Sequence, residues 1–215
     1  MRTIATVKVF MLLTIFICCQ DNNSENHHES KSISQTSQLQ SKKIKIVIQP
    51  FEDFPISFTK CIANELKAMY AGVVVIRKPI LFPMHTLNQT QTRYRADSLI
   101  RYLSSKTTDG FLTIGLTQKD MSTTKGTNKD WGVFGLGYCP GKSCIASSYR
   151  LKGKNKLEKL FKVAIHELGH TQGLKHCQIK TCLMRDAKGK DNLNDEKEFC
   201  FKCKTFLKKL GWEIK

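Results

Sequence analysis

The chain has 215 residues, 40% of them hydrophobic. That is enough for one domain with a core of its own and is ordinary for a soluble protein. The formal net charge of +17 raises nucleic acid, an anionic membrane surface or an acidic substrate as partners. The lysines are scattered, as at Lys152, Lys154, Lys156, Lys159 and Lys162, and are not interleaved with aromatics. They read as a solvated basic face, and no nucleic-acid partner is expected.

Residues 1–19 stand apart from any fold. Arg2 and Lys8 precede the apolar run from Val9 to Cys19, which is too short to span a bilayer as a stable helix. The run reads as an export signal, either a plain signal peptide or a bacterial lipoprotein signal with Cys19 as the lipidated residue. Without residues 1–19 the chain loses two cations and no acid, which leaves +15. Residues 20–41 are polar and cannot bury enough surface to order themselves, so they read as a tether. His27-His28 within it reads as solvated. Residues 42–215 form the remaining domain. On this reading the protein is exported, to the periplasm or the outer membrane and cell surface, and is a monomer held to the membrane by its lipid.

The domain begins with an alternating strand from Lys43 to Pro50. Residues 57–70 carry Ile62, Leu66 and Met69 at helical spacing. A β-branched strand, Val73 to Ile76, and a helix, Ala96 to Ser105, follow. Strands are expected at 111–116, 132–138 and 144–149. Cys139 and Cys144 flank a Pro-Gly turn and could meet across it as a disulfide or remain thiols; Cys61 is expected to be a buried thiol. A long helix spans 155–174, with Leu157, Leu160, Phe161, Ala164 and Ile165 on its buried side. A last helix spans 194–210. The pattern gives a mixed α/β (α+β) fold, a twisted mixed sheet over a long helix.

The chemistry is concentrated in the run His166-Glu167-Leu168-Gly169-His170-Thr171-Gln172-Gly173-Leu174-Lys175-His176. On a helix His166 and His170 share one face and can reach one metal. At about 1.5 Å per residue a straight helix would carry His176 roughly 15 Å from His166. The chain must therefore return, and Gly173 can turn it. Three neutral imidazoles with a fourth position open to water form the catalytic kind of zinc site, and Glu167 stands beside it as general base. Cys177, Cys182, Cys200 and Cys203 follow in two pairs. They can hold a closed structural zinc, form two disulfides or remain buried thiols.

The run from His166 through Cys182-Leu183-Met184, with Cys200-Phe201-Lys202-Cys203 after it, resembles the archaemetzincins, a branch of the metzincin zinc peptidases. Gly110 to Thr117 and Trp131 to Leu151 resemble the family's central strand and the hairpin before its active-site helix. The resemblance implies a metzincin-like zincin fold with a C-terminal four-cysteine subsite and two zinc ions per chain. His166, His170 and His176 would bind the catalytic ion, Cys177, Cys182, Cys200 and Cys203 the structural one. Glu167 would be the base, and Met184 the methionine beneath the site. The 15 residues between Met184 and Cys200 are about two fewer than the family pattern, a loop difference that touches no ligand.

The chain is therefore expected to be a metallopeptidase that hydrolyses peptide bonds in peptides or proteins through zinc-activated water. The strand at 144–149 is expected to offer its edge to an extended substrate. A catalytically inactive, zinc-stabilised binding module at the cell surface is the alternative. A basic polymer binder would have no use for the three histidines.

Overall fold

The computed structural model describes residues 44–215. The export signal, the tether, Cys19 and the His27-His28 pair lie outside the described residues.

A five-stranded sheet carries the fold, in the order β2-β1-β4-β8-β7. Its strands are β1 (Lys45–Pro50), β2 (Val73–Ile76), β4 (Phe111–Thr117), β7 (Gly135–Gly137) and β8 (Ser143–Ser147). The first four in that order are parallel, and β7 runs antiparallel at the edge. Alternation in the strands builds two apolar layers. Ile46, Ile48, Leu112, Ile114, Leu116, Cys144 and Ala146 face α1 (Ile56–Met69) and α3 (Lys156–Thr171). Phe51 and Ile145 face α2 (Ala96–Ser105), which contributes Leu99, Ile100 and Leu103.

The expected strand at 132–138 is two short elements. The first closes a smaller sheet, β3-β5-β6, of β3 (Tyr94–Arg95), β5 (Met121–Lys125) and β6 (Asn128–Val133); the second is β7. The β5–β6 hairpin is largely polar and half exposed, so it shows none of the apolar alternation that marks a buried strand. Asp120 fastens its base by accepting from Arg93 Nε (2.8 Å) and from Arg150 Nε and Nη2 (2.7 and 2.8 Å).

Two further expectations are corrected. The last helix, α4, covers only Phe201–Lys209; the stretch before it is not helical because its backbone bonds to residues 181–183, Lys197 amide to the Thr181 carbonyl and Glu198 carbonyl to the Leu183 amide. The edge strand is β7, not the segment 144–149, since β8 is hydrogen-bonded on both sides. Among the described residues no helix is long and apolar enough to cross a membrane.

Candidate active site and metal centres

Helix α3 is the spine of the site. Leu160, Val163, Ala164 and Leu168 pack into the core, which fixes the rotation of the helix. His166 and His170 then share one flank, their rings 4.6 Å apart. The helix ends at Gly173, whose φ of 92° only glycine adopts cheaply. The Gly173 amide donates to the His170 carbonyl (2.8 Å) and the Leu174 amide to the Gly169 carbonyl (3.1 Å). This is the paired bonding of a Schellman cap, and it swings the chain back. His176 arrives with its ring 4.9 Å from that of His170 and 5.3 Å from that of His166.

One nitrogen from each of the three rings lies within 4.8 Å of the others. His166 Nδ1 donates to the Leu183 carbonyl and His170 Nδ1 to the Leu174 carbonyl, both at 2.7 Å. Each ring therefore keeps its proton on Nδ1 and presents a bare Nε2. His170 Nε2 and His176 Nε2 are 3.3 Å apart, close to the ~3.3 Å that two nitrogens about 2.0–2.1 Å from one tetrahedral zinc would show. The donor set fits that ion. Burial and the neighbouring imidazole push His166 down to about 3, and burial lowers His170 as well. Both are neutral near pH 7, the form that binds metal.

Glu167 faces the same region and is 8% exposed; burial pushes its carboxyl up to about 8. A Cβ on Gly135 of β7 would lie 2.7 Å from Glu167 Cγ and 2.8 Å from the Ile145 carbonyl oxygen. Glycine at that position lets the edge strand approach Glu167. A Cβ on Gly169 would collide with the Met184 thioether, so Met184, fully buried, lies directly against the helix between the two histidines.

Cys177, Cys182, Cys200 and Cys203 also bring their sulfurs within 4.8 Å of one another, with Cys177 and Cys200 Sγ 3.7 Å apart. The backbone amides of Met184 (3.5 Å) and Cys200 (3.3 Å) point at Cys182 Sγ. Cys200 caps the N-terminus of α4. Amide donors and a helix N-terminus both favour thiolate, which fits a closed four-sulfur zinc site. None of the seven described cysteines is bridged. Cys144 is fully buried in the core against α3 and Cys139 is exposed, and both are free thiols here. Cys61 is exposed rather than buried.

The sequence pattern missed several residues around the site. Asp186 Oδ2 stands 3.7 Å from His176 Nδ1. Lys159 and Lys162, expected on a solvated face, are buried. Lys159 Nζ binds Asp191 Oδ2 (2.7 Å); Lys162 Nζ binds Glu158 Oε1 (2.7 Å) and the Leu193 carbonyl (2.9 Å). They pin the segment after Met184 across α3. Glu196, in that segment, is 3% exposed. Only the i, i+4 spacing of Glu158 and Lys162 was visible beforehand.

A cleft of about 700 Å³ runs past these groups. One side is Trp131 to Gly135, the other Asp186 to Gly189, with His166, Glu167 and His176 at its centre.

Residues 42–209 match the family described as Peptidase family M54. The chain belongs to this family. It is similar to the archaemetzincin of Halobacterium salinarum, 28% identical over 153 residues, covering 66% of this chain and 86% of that protein. It is similar also to the archaemetzincin of Methanopyrus kandleri, 30% identical over 145 residues, covering 65% and 81%. The crystal structure of the Methanopyrus kandleri archaemetzincin superposes with a TM-score of 0.67 at 27% identity, covering 80% of this chain and 97% of that one. That of the Archaeoglobus fulgidus archaemetzincin complexed with malonate gives 0.65 at 27% identity, covering 76% and 99%. The protein is thus an archaemetzincin-type zinc metallopeptidase with the α/β fold of that family.

Proposed function

We propose that His166, His170 and His176 hold the catalytic zinc, that Cys177, Cys182, Cys200 and Cys203 hold a second, structural zinc, and that Glu167 is the general base of peptide hydrolysis. The observation that carries this reading is the convergence of three imidazole nitrogens beside a buried carboxyl in an open cleft. When bound, zinc polarises the scissile carbonyl and acidifies water toward neutral pH. Glu167 takes the proton of the attacking water and delivers it to the leaving amine. Burial alone holds the Glu167 carboxyl protonated up to about pH 8. A dication held by the adjacent imidazoles pulls it back toward the ionised form that a base requires. Gly135 sets the distance between the edge strand and this carboxylate. An extended peptide pairs with the free edge of β7 and lies along the cleft. Met184 supports the histidine pair from below by filling the space that Gly169 leaves.

The test separates metal binding from turnover. Glu167→Gln should retain two zinc equivalents by elemental analysis and lose at least about a hundredfold in kcat, the usual worth of a positioned base. Wild-type activity in that variant would remove Glu167 from the role. A binding module without turnover would need neither Glu167 nor the open cleft; cleavage of a mixed peptide library that stops on chelation decides against it. Export and lipidation at Cys19 remain part of the proposal, supported by the composition of residues 1–41. Cys19→Ser should abolish incorporation of labelled fatty acid.

A further inference from the structure

Beside the cleft lies a second, narrower cavity of about 60 Å³. It shares Phe134, His166, Glu167 and Ala187 with the cleft. On the proposed reading, a substrate residue flanking the scissile bond would direct its side chain there. Phe134, Val163 and Leu193 give the cavity apolar walls, and Glu196 lines it too.

Glu196 is anomalous for a residue 3% exposed. Its Oε2 is fully buried and has no hydrogen-bond partner. Each of the cations nearest to it has another carboxylate partner. Arg185 Nη1 binds Asp195 Oδ2 at 3.0 Å, Lys162 Nζ binds Glu158 Oε1 at 2.7 Å and Lys159 Nζ binds Asp191 Oδ2 at 2.7 Å. Lys190, which is exposed, is the remaining cation on the cavity wall. A buried carboxylate oxygen without a donor costs about 1–3 kcal/mol or more, and such a group in a native protein requires an explanation. No protein donor reaches that oxygen, and the residue lines the cavity beside the proposed zinc site. The missing partner would then arrive with the substrate.

We infer that Glu196 is the specificity determinant of this pocket and selects peptides that carry lysine beside the scissile bond. A lysine stem is slim enough for apolar walls, and its ammonium is a charge-assisted donor for the orphaned oxygen. An aliphatic side chain would fill the cavity and leave the carboxylate oxygen unpaired, the situation in which a built polar pocket rejects a substrate.

The inference rests on the peptidase reading, so its test has a turnover arm and a binding arm. Zinc-loaded enzyme is given two peptide libraries identical except for lysine or leucine at one position, and products are sequenced by mass spectrometry. The lysine peptides should be cut with a kcat/KM at least ~10-fold higher, with lysine flanking the new terminus. Glu196→Leu should abolish or invert that ratio. Lys190→Ala should preserve or sharpen it, since it removes a competing cation. Zinc content and thermal melting confirm that each variant is folded. In the binding arm, zinc-loaded Glu167→Gln should bind the lysine peptide ~10-fold more tightly than the leucine peptide by calorimetry. Adding Glu196→Leu should erase the difference. Equal handling of the two peptides in both arms overturns the inference, as does a preference that survives Glu196→Leu. If no peptide is cut but the binding preference follows Glu196, the peptidase mechanism fails and the pocket assignment stands.

Discussion

Glu196 also has a consequence for the free protein. Burial, with Asp191 and Asp195 nearby, pushes its carboxyl up to about 7 from an ordinary 4.5, against the opposing pull of Arg185 and Lys162. Between those values the folded chain holds a proton that the unfolded chain has released. Stability therefore falls as pH rises through about 4.5 to 7, and it stays lower above that range. Glu196→Gln carries no such charge. Its unfolding free energy should exceed that of the zinc-loaded wild type by an amount that grows from pH 5 to pH 7.5 and then levels off, on the order of 2 kcal/mol at the plateau, with a higher melting temperature to match. Parallel melting curves across that range would mean that the carboxyl has a partner in solution. The sign is opposite to that of a salt-bridged carboxylate, and it belongs to a residue kept for its ligand rather than for the fold.

One segment serves both proposed metal centres. From Leu174 to Cys200 the chain supplies the Leu174 and Leu183 carbonyls that orient His170 and His166, and it delivers His176 immediately before Cys177. Across it the Cys177 amide bonds to the Met184 carbonyl (2.7 Å), the Leu183 amide to the Glu198 carbonyl (3.0 Å) and the Lys197 amide to the Thr181 carbonyl (2.9 Å), while Lys159 and Lys162 tie it to α3. A metal among the four sulfurs would cross-link this segment to α4. Removing one sulfur should then loosen a histidine it does not touch. Cys182→Ser should empty the cysteine site and weaken zinc at the histidine site by about 10–100-fold, the usual cost of losing support behind a metal ligand. Competition with a chromophoric chelator measures it. A histidine site that keeps its wild-type affinity would show the two centres to be independent.

At the scale of the molecule, sequence and structure agree where burial imposes a period. Strands β1 and β4 and helices α1, α2 and α3 follow from alternating or helical apolar spacing, and β2 from its β-branched run. The histidine cluster is legible because an i, i+4 pair and a glycine bend are local geometry. Strand order is not local, so the edge position of β7 could not be read, nor could a polar hairpin. Lys159 and Lys162 look solvent-facing in the sequence because what buries them is a distant segment crossing α3, and Glu196 because it lies on that segment and packs toward α3. That segment and α4 are also where metal matters most. Helix α4 buries only Cys203 and Leu207 from its own length, too little apolar surface to dock a nine-residue helix firmly. The C-terminal end is held differently. The Ala71 amide donates to the Glu213 carbonyl and the Lys215 amide to the Met69 carbonyl, at 2.9 and 3.0 Å, and Trp212 is buried beside Tyr70. Chelation at pH 7 should therefore act regionally. In hydrogen exchange, amides of residues 177–209 should lose protection, whereas β1, β4, β8, α1 and residues 212–215 should keep it. Uniform loss would mean that the metals hold the whole domain together. Unchanged protection would mean that they hold none of it, because the segment's backbone bonds and its ties to α3 would then be sufficient on their own.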